Sequence, residues 1–268
     1  MSSGAGWIKE LSTHVHIGAK RSSVALSSGF ALAPGIAGLA AQYLPWPTVL
    51  PYLFHIALAL VVVPLVWMVP ELPTTSARTT RQPFLPTSLL TPRYLHVIAY
   101  APWVFGTVTT TFVFLPSQLS EHLDRPILVA GLMAMVTMGS GVIIQQLAGR
   151  IRMTPFHGMM LAAFGMGLCL VILAAAHHGW VVALLPIAAI VMGSSYGIGM
   201  LTGLAETQAI AHPDQLGAAT GVFYSLTYLG FFAPFILSLL GPAVGYSSAF
   251  ILGLVVAAVT AGWLSLIH

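Results

Sequence analysis

The chain has 268 residues, of which 57% are apolar and 6% charged, and its formal net charge is +3. Soluble domains carry about 25% charged residues, so a water-soluble globular protein is excluded, and with it the nucleic-acid partner that a basic balance would otherwise suggest. The single cysteine, Cys169, has no partner for an internal disulfide and reads as a small core residue.

The charges are spaced so that five long stretches carry none: Ser22–Pro70, Tyr94–Ser120, Pro126–Gly149, Met153–Ala205 and Gln215–His268. A charge at the bilayer centre costs roughly 2.5–3.5 kcal/mol on insertion scales. A helix needs about 20 apolar residues to cross the hydrocarbon core. Residues 1–21 contain no apolar signal-peptide segment, so the first span, near Ser22–Tyr43, must itself direct insertion. Turn residues at Tyr43-Leu-Pro-Trp-Pro47 split the first stretch into two spans. The connection Glu71–Arg93 follows, rich in proline, threonine and arginine and without helical periodicity, and reads as a flexible linker. Tyr94–Ser120 and Pro126–Gly149 hold one span each. Met153–Ala205 breaks at Ala176-His-His-Gly179, and Gln215–His268 at Gly241-Pro-Ala-Val-Gly245, giving two spans apiece and eight in all.

Alternating the loops puts eight of the nine basic residues on one side and only Arg125 opposite. The positive-inside rule then makes both termini cytoplasmic. Trp46, Trp180 and Tyr94 fall at span ends, which suits interfacial anchoring, although Trp46 and Trp180 read equally as ordinary loop aromatics. The fold class expected is an all-α, multi-pass protein of the cell membrane.

The chain also compares with itself at a spacing of roughly 200 residues. Glu10-Leu-Ser-Thr-His-Val-His-Ile-Gly18-Ala19 is followed by a span with Gly29-Phe-Ala-Leu-Ala-Pro34. Glu206, His212, Gly217-Ala218 and a span with Gly230-Phe-Phe-Ala-Pro234 repeat that order. On this reading the first two spans match the last two of the six that follow the linker, and four are absent before them. Met1-Ser-Ser-Gly-Ala-Gly-Trp7 then looks like the end of a lost span, paralleling Gly193-Ser-Ser-Tyr-Gly-Ile-Gly-Met200.

The loop Gly141-Val-Ile-Ile-Gln-Gln-Leu-Ala-Gly149-Arg150-Ile-Arg152 resembles the G-x-x-x-D-R-x-x-G-R-R loop of the major facilitator superfamily, with Gln145 where that family has an acid. Ala33-Pro34-Gly-Ile-Ala-Gly38 is similar to the Gly-Pro-rich fifth span of its antiporters. The resemblance implies the last eight spans of a twelve-helix fold. Residues 1–17 become a remnant of the loop before the first span and 18–70 the last two spans of an incomplete N-terminal half. Residues 71–94 become the cytoplasmic linker and 95–268 a six-helix C-terminal half. It implies secondary transport of a small organic solute, with the bilayer and that solute as partners, and a homo-oligomer or separate N-terminal half completing the path. The alternative is a truncated remnant or membrane scaffold that transports nothing.

Ionisable groups within spans are functional candidates by default. His55 reads either as a proton relay or as a histidine packed in the bundle. Glu206, one turn inside its span, is either a gating carboxylate or an interfacial acid marking the span end. Tyr100, Trp103, Thr107, Thr110 and Thr111 on one span, and Tyr224, Thr227 and Tyr228 on another, are candidates to line a solute cavity. Threonines that instead bond their own helix, and tyrosines at interfaces, are the competing account. If half the protein is missing, the Thr107–Thr111 face is expected against lipid. Gly141, Gln145, Gly149, Arg150, Arg152 and Glu206 are the candidate cytoplasmic gate and loop motif. Gly193, Gly197, Gly199 and Gly203 are expected to pack helices closely. His14 with His16, and His177 with His178, lack partners at metal-ligand spacing, so no metal or cofactor is expected. No G-x-x-x-x-G-K-[ST], H-E-x-x-H or G-x-S-x-G motif occurs, so the chain reads as no enzyme and any transport would draw on a gradient.

Overall fold

A computed structural model describes residues 15–68, 86–148, 151–212 and 215–266, with side chains from residue 28 onward and excepting Ala148. The described residues form eight helices and no strand. They are α1 (Val15–Tyr43), α2 (Leu50–Trp67), α3 (Tyr94–Gln118) and α4 (Pro126–Ala148). After these come α5 (Pro155–Ala174), α6 (Leu185–Ile210), α7 (Leu216–Val244) and α8 (Tyr246–Ser265). Seven of them, α2 to α8, are long and apolar enough to cross a membrane, α6 together with the 3-10 segment Gly179–Leu184 before it.

The helix ends follow the local chemistry. α1 stops at Tyr43, before two prolines, and the chain reverses through Trp46, whose φ of 54° is the one positive value at a non-glycine among the described residues. α5 starts on a capping box between Thr154 and His157, with Pro155 in its first turn. The expected turn across Gly241–Gly245 is shorter than the sequence suggested. Helix α7 continues through Pro242 to Val244, and the break narrows to Gly245, whose φ of 87° suits a residue without Cβ. In α3 the helix widens to a π turn over Thr110–Phe114, which the sequence pattern did not announce. Pro116 follows it. A proline ring clashes with the carbonyl one turn back and cannot bond it, and the wider turn relieves that conflict.

α6 is the central post. It packs against α3, α4, α5 and α7. The four expected glycines explain how: an added Cβ on Gly193 would strike the Thr137 carbonyl and Ser140 of α4, and one on Gly197 would strike Gly141 and Ile144. Gly199 faces Val104 of α3, and Gly203 faces Phe223 of α7 and Tyr100 of α3. α8 packs on α5, and α7 lies across α3 where Gly230 meets Pro102 and Gly106. α1 packs along α4, with Gly38 and Gly131 in contact and Gly35 against Met135. α2 folds back beside α1, and none of its 18 residues is buried.

The connection read as flexible linker is docked at its end. Thr87–Leu89 forms a 3-10 turn, Leu89 is buried with Tyr94 and Val97, and the Ser88 hydroxyl donates to Gln215 at 2.9 Å. Buried Pro86 and Leu89, with the Ser88 hydrogen bond, tie residues 86–90 to the bundle. Residues 69–85 lie outside the described set.

Candidate functional site

The candidates fall into three places. Tyr100 of α3 is buried, and its hydroxyl donates to the Glu206 carboxylate at 3.2 Å. Glu206 sits four residues before the end of α6 and is partly buried, so the pair ties that end of α6 to α3. Next to it, the Thr207 hydroxyl bonds the Gly203 carbonyl at 2.7 Å. Glu10, its counterpart in the repeat, lies outside the described residues.

Trp103 is half-buried and lines a crevice with Tyr100, Val104, Met159 and Ser195. The crevice measures about 10 Å³, room for about one water, so no organic solute fits there. Thr107, Thr110 and Thr111 are fully buried, which overturns the expectation of a lipid-facing threonine face. Their chemistry is turned inward. Thr107 bonds the Val104 carbonyl, Thr111 bonds that of Thr107 at 2.7 Å, and Thr109 reaches the Gly230 carbonyl of α7 at 3.2 Å. The Thr110 hydroxyl, in the π turn, is buried without a partner among the described residues. Thr227 is likewise buried and bonds the Tyr224 carbonyl.

Tyr224 and Tyr228 stand in a different setting. They belong to an aromatic face built on Phe105 of α3, whose ring lies 5.6 Å from Tyr196 of α6 and from Tyr228, and 4.6 Å from Phe231 of α7 in a stacked arrangement. Tyr224 extends it, 6.4 Å from Tyr228. Phe105 and Tyr196 are buried, while Tyr228 and Phe231 are exposed by 52% and 47%. α1 meets the same cluster through Ala31. The Tyr196 hydroxyl lies beside Gln145 of α4, whose amide nitrogen is buried without a partner among the described residues. Phe105, Tyr196 and Phe231 were not picked out from the sequence. Tyr196 has a signal, a large ring amid Gly193, Gly197 and Gly199, and Phe231 stands in the repeated Gly230-Phe-Phe-Ala-Pro234 segment, whereas Phe105 has none among so many apolar residues.

The loop motif is split. Gly141 packs under the Tyr196 ring and Gln145 joins the aromatic face, while Arg152 is exposed in the turn before α5. Gly149 and Arg150 lie outside the described residues. His55 is exposed on α2, away from both clusters. His177 and His178, with rings 4.0 Å apart, border a separate cavity of about 140 Å³ with His122. No group of three metal-ligating side chains assembles among the described residues. His14 and the side chain of His16 lie outside them.

Arg125, between α3 and α4, donates to the Tyr43 hydroxyl at the end of α1, and its guanidinium stands 5.2 Å from that ring's centre. With the Gly38–Gly131 crossing, this fixes α1 to α4 at two heights.

No curated protein matches the chain closely enough to count as a relative. Residues 21–234, from α1 into α7, match the Major Facilitator Superfamily. A match over most of the length, on apolar helices built to cross a bilayer, makes this an integral membrane protein of several spans, and the chain belongs to the Major Facilitator Superfamily.

Proposed function

We propose that this protein moves a small organic solute across the cell membrane as a gradient-driven secondary transporter. The match to the facilitator family over residues 21–234 carries the reading. The aromatic and hydroxyl side chains gathered from α3, α6 and α7 support it, because a solute path needs polar contacts within an apolar bundle. The candidate cavity residues are therefore Tyr224 and Tyr228 first, then the Tyr100–Glu206 pair as a gate between α3 and α6, with Gln145 and Gly141 on the α4 side. Eight spans with both termini cytoplasmic agree with the basic residues in the sequence.

On this reading α1 and α2 are the last two helices of one half, and residues 95–268 are the other. The contact between α1 and α4 is then a contact between halves, the surface across which two bundles rock in alternating access. The remaining four helices of the first half come from outside these 268 residues, supplied by a longer chain, a separate subunit or a second copy.

The test is a flux assay in liposomes with an imposed proton or sodium gradient and a panel of small organic solutes. This chain is run beside a version carrying the coding sequence upstream of Met1. Saturable, gradient-driven flux is expected from the extended version and not from the 268 residues alone. Robust flux from the short chain overturns the incomplete-half reading. Absence of flux from both, with correct insertion, overturns transport and leaves the scaffold reading.

A further inference from the structure

We propose that the solute site is the face formed by Phe105, Tyr196, Tyr224, Tyr228 and Phe231 with the Gln145 amide, and that its solute is an uncharged aromatic molecule bearing hydrogen-bonding groups. The proposal rests on the transport reading above and names the substrate class of that site.

Depth is the first argument. Phe105 is the twelfth of 25 residues in Tyr94–Gln118, Tyr196 the eighteenth of 32 in Gly179–Ile210, and Tyr228 the thirteenth of 29 in Leu216–Val244. All three lie near mid-span. Tyrosines that anchor a helix at the membrane interface sit at its ends, so that role does not account for these. Hydrocarbon offers a hydroxyl no hydrogen bond. Yet Tyr228 is 52% exposed, and among the described residues neither its hydroxyl nor that of Tyr224 makes a hydrogen bond. The buried Gln145 amide lies beside the Tyr196 hydroxyl at the same depth. Polar groups left open at this depth fit a face that meets something other than lipid.

Ring geometry and charge set the class. Phe105 and Tyr196 are buried and fixed, and they hold Tyr228 and Phe231 with one side open. Such a surface suits a flat ring, by offset stacking or edge contact. Tyr94–Gln118, Pro126–Ala148 and Leu216–Val244 contain no Asp, Glu, Lys or Arg. The acid on α6, Glu206, is ten residues from Tyr196, about 15 Å along the helix, and is bonded to Tyr100. An ionised solute would lose its water here and find no counter-charge on α3, α4 or α7. A saturated sugar would leave the ring faces unused.

The test uses a neutral photoreactive probe, 4-(hydroxymethyl)benzophenone, on the purified chain in lipid nanodiscs, with labelled peptides mapped by mass spectrometry. Saturable labelling is expected around 105, 196 and 224–231. Benzyl alcohol should compete at least tenfold better than benzoate, tetraphenylphosphonium or maltose. Tyr228→Leu and Phe231→Leu, at exposed positions, should weaken labelling at least tenfold. Tyr224→Phe should weaken it about threefold, and Tyr52→Leu on α2 should change nothing. Unsaturable labelling spread over exposed helix faces, including α2, overturns the site. Equal competition by benzoate or tetraphenylphosphonium overturns the class. Flux with labelling mapped elsewhere sinks the site alone. Mapped, saturable binding without flux in the extended protein sinks transport and leaves the site standing.

Discussion

Tyr100 and Glu206 sit 106 positions apart in the chain and meet through one hydrogen bond of 3.2 Å. A hydrogen bond to a charged group contributes about 1.5–3 kcal/mol when buried, but this carboxylate is only partly buried, so about 1 kcal/mol is the expected share. Tyr100→Phe should therefore lower the thermal midpoint of the purified protein by a few degrees. An unchanged midpoint would mean the bond contributes nothing. Glycine positions give a sharper contrast. Gly193→Ala pushes a methyl into the Thr137 carbonyl and Ser140 and should cost about 1–3 kcal/mol, as overpacked sites do. Gly221→Ala, with nothing within 4 Å of the new Cβ, should gain about 0.5–1 kcal/mol from helix propensity. Melting curves of the two variants should move in opposite directions.

At the scale of elements, α1 and α2 behave differently although both precede the linker. α1 buries Ala31, Gly35, Gly38 and Ala40, a stripe of small residues that lets α4 come close. α2 has no glycine and no such buried stripe, and it presents Leu60, Val61 and Trp67 outward. A Tyr43→Cys and Arg125→Cys pair, in a Cys169→Ala background, should be joined by a short bismaleimide, since the native side chains touch across the α1–α4 contact. Mass spectrometry of the joined peptides reads the result. Failure to cross-link while a Gly193-side control pair between α4 and α6 succeeds would show that α1 does not rest on α4.

For the whole molecule, the distribution of charge predicts which loops share a side. A cysteine introduced at Thr79, in the Glu71–Arg93 connection, should resist a membrane-impermeant maleimide added from outside. One at Gly179, where an added Cβ meets nothing, should react. The native Cys169 is fully buried and adds little background. Labelling at Thr79 with protection at Gly179 would invert the topology, and labelling at both would break it.

Insertion into a membrane and most helix ends were legible in the sequence alone, while of the eight spans expected seven helices, α2 to α8, are long and apolar enough to cross. Those properties depend on local sums: the apolar length needed to cross hydrocarbon, the cost of a charge within it, and the turn chemistry of proline and glycine. The packing glycines of α6 were legible for the same reason, since spacing alone puts small residues on shared faces. What faces what was decided by the tertiary structure. Thr107, Thr110 and Thr111 look like cavity residues along the helix, yet they turn inward, and helices α4, α6 and α7 leave them no opening. Phe105 looks like one more apolar residue until three helices bring Tyr196, Tyr228 and Phe231 around it. An apolar side chain in a membrane helix carries no local mark of whether it will meet lipid, another helix or a solute, because hydrocarbon and helix core are equally apolar. Only the crossing of helices separates those fates.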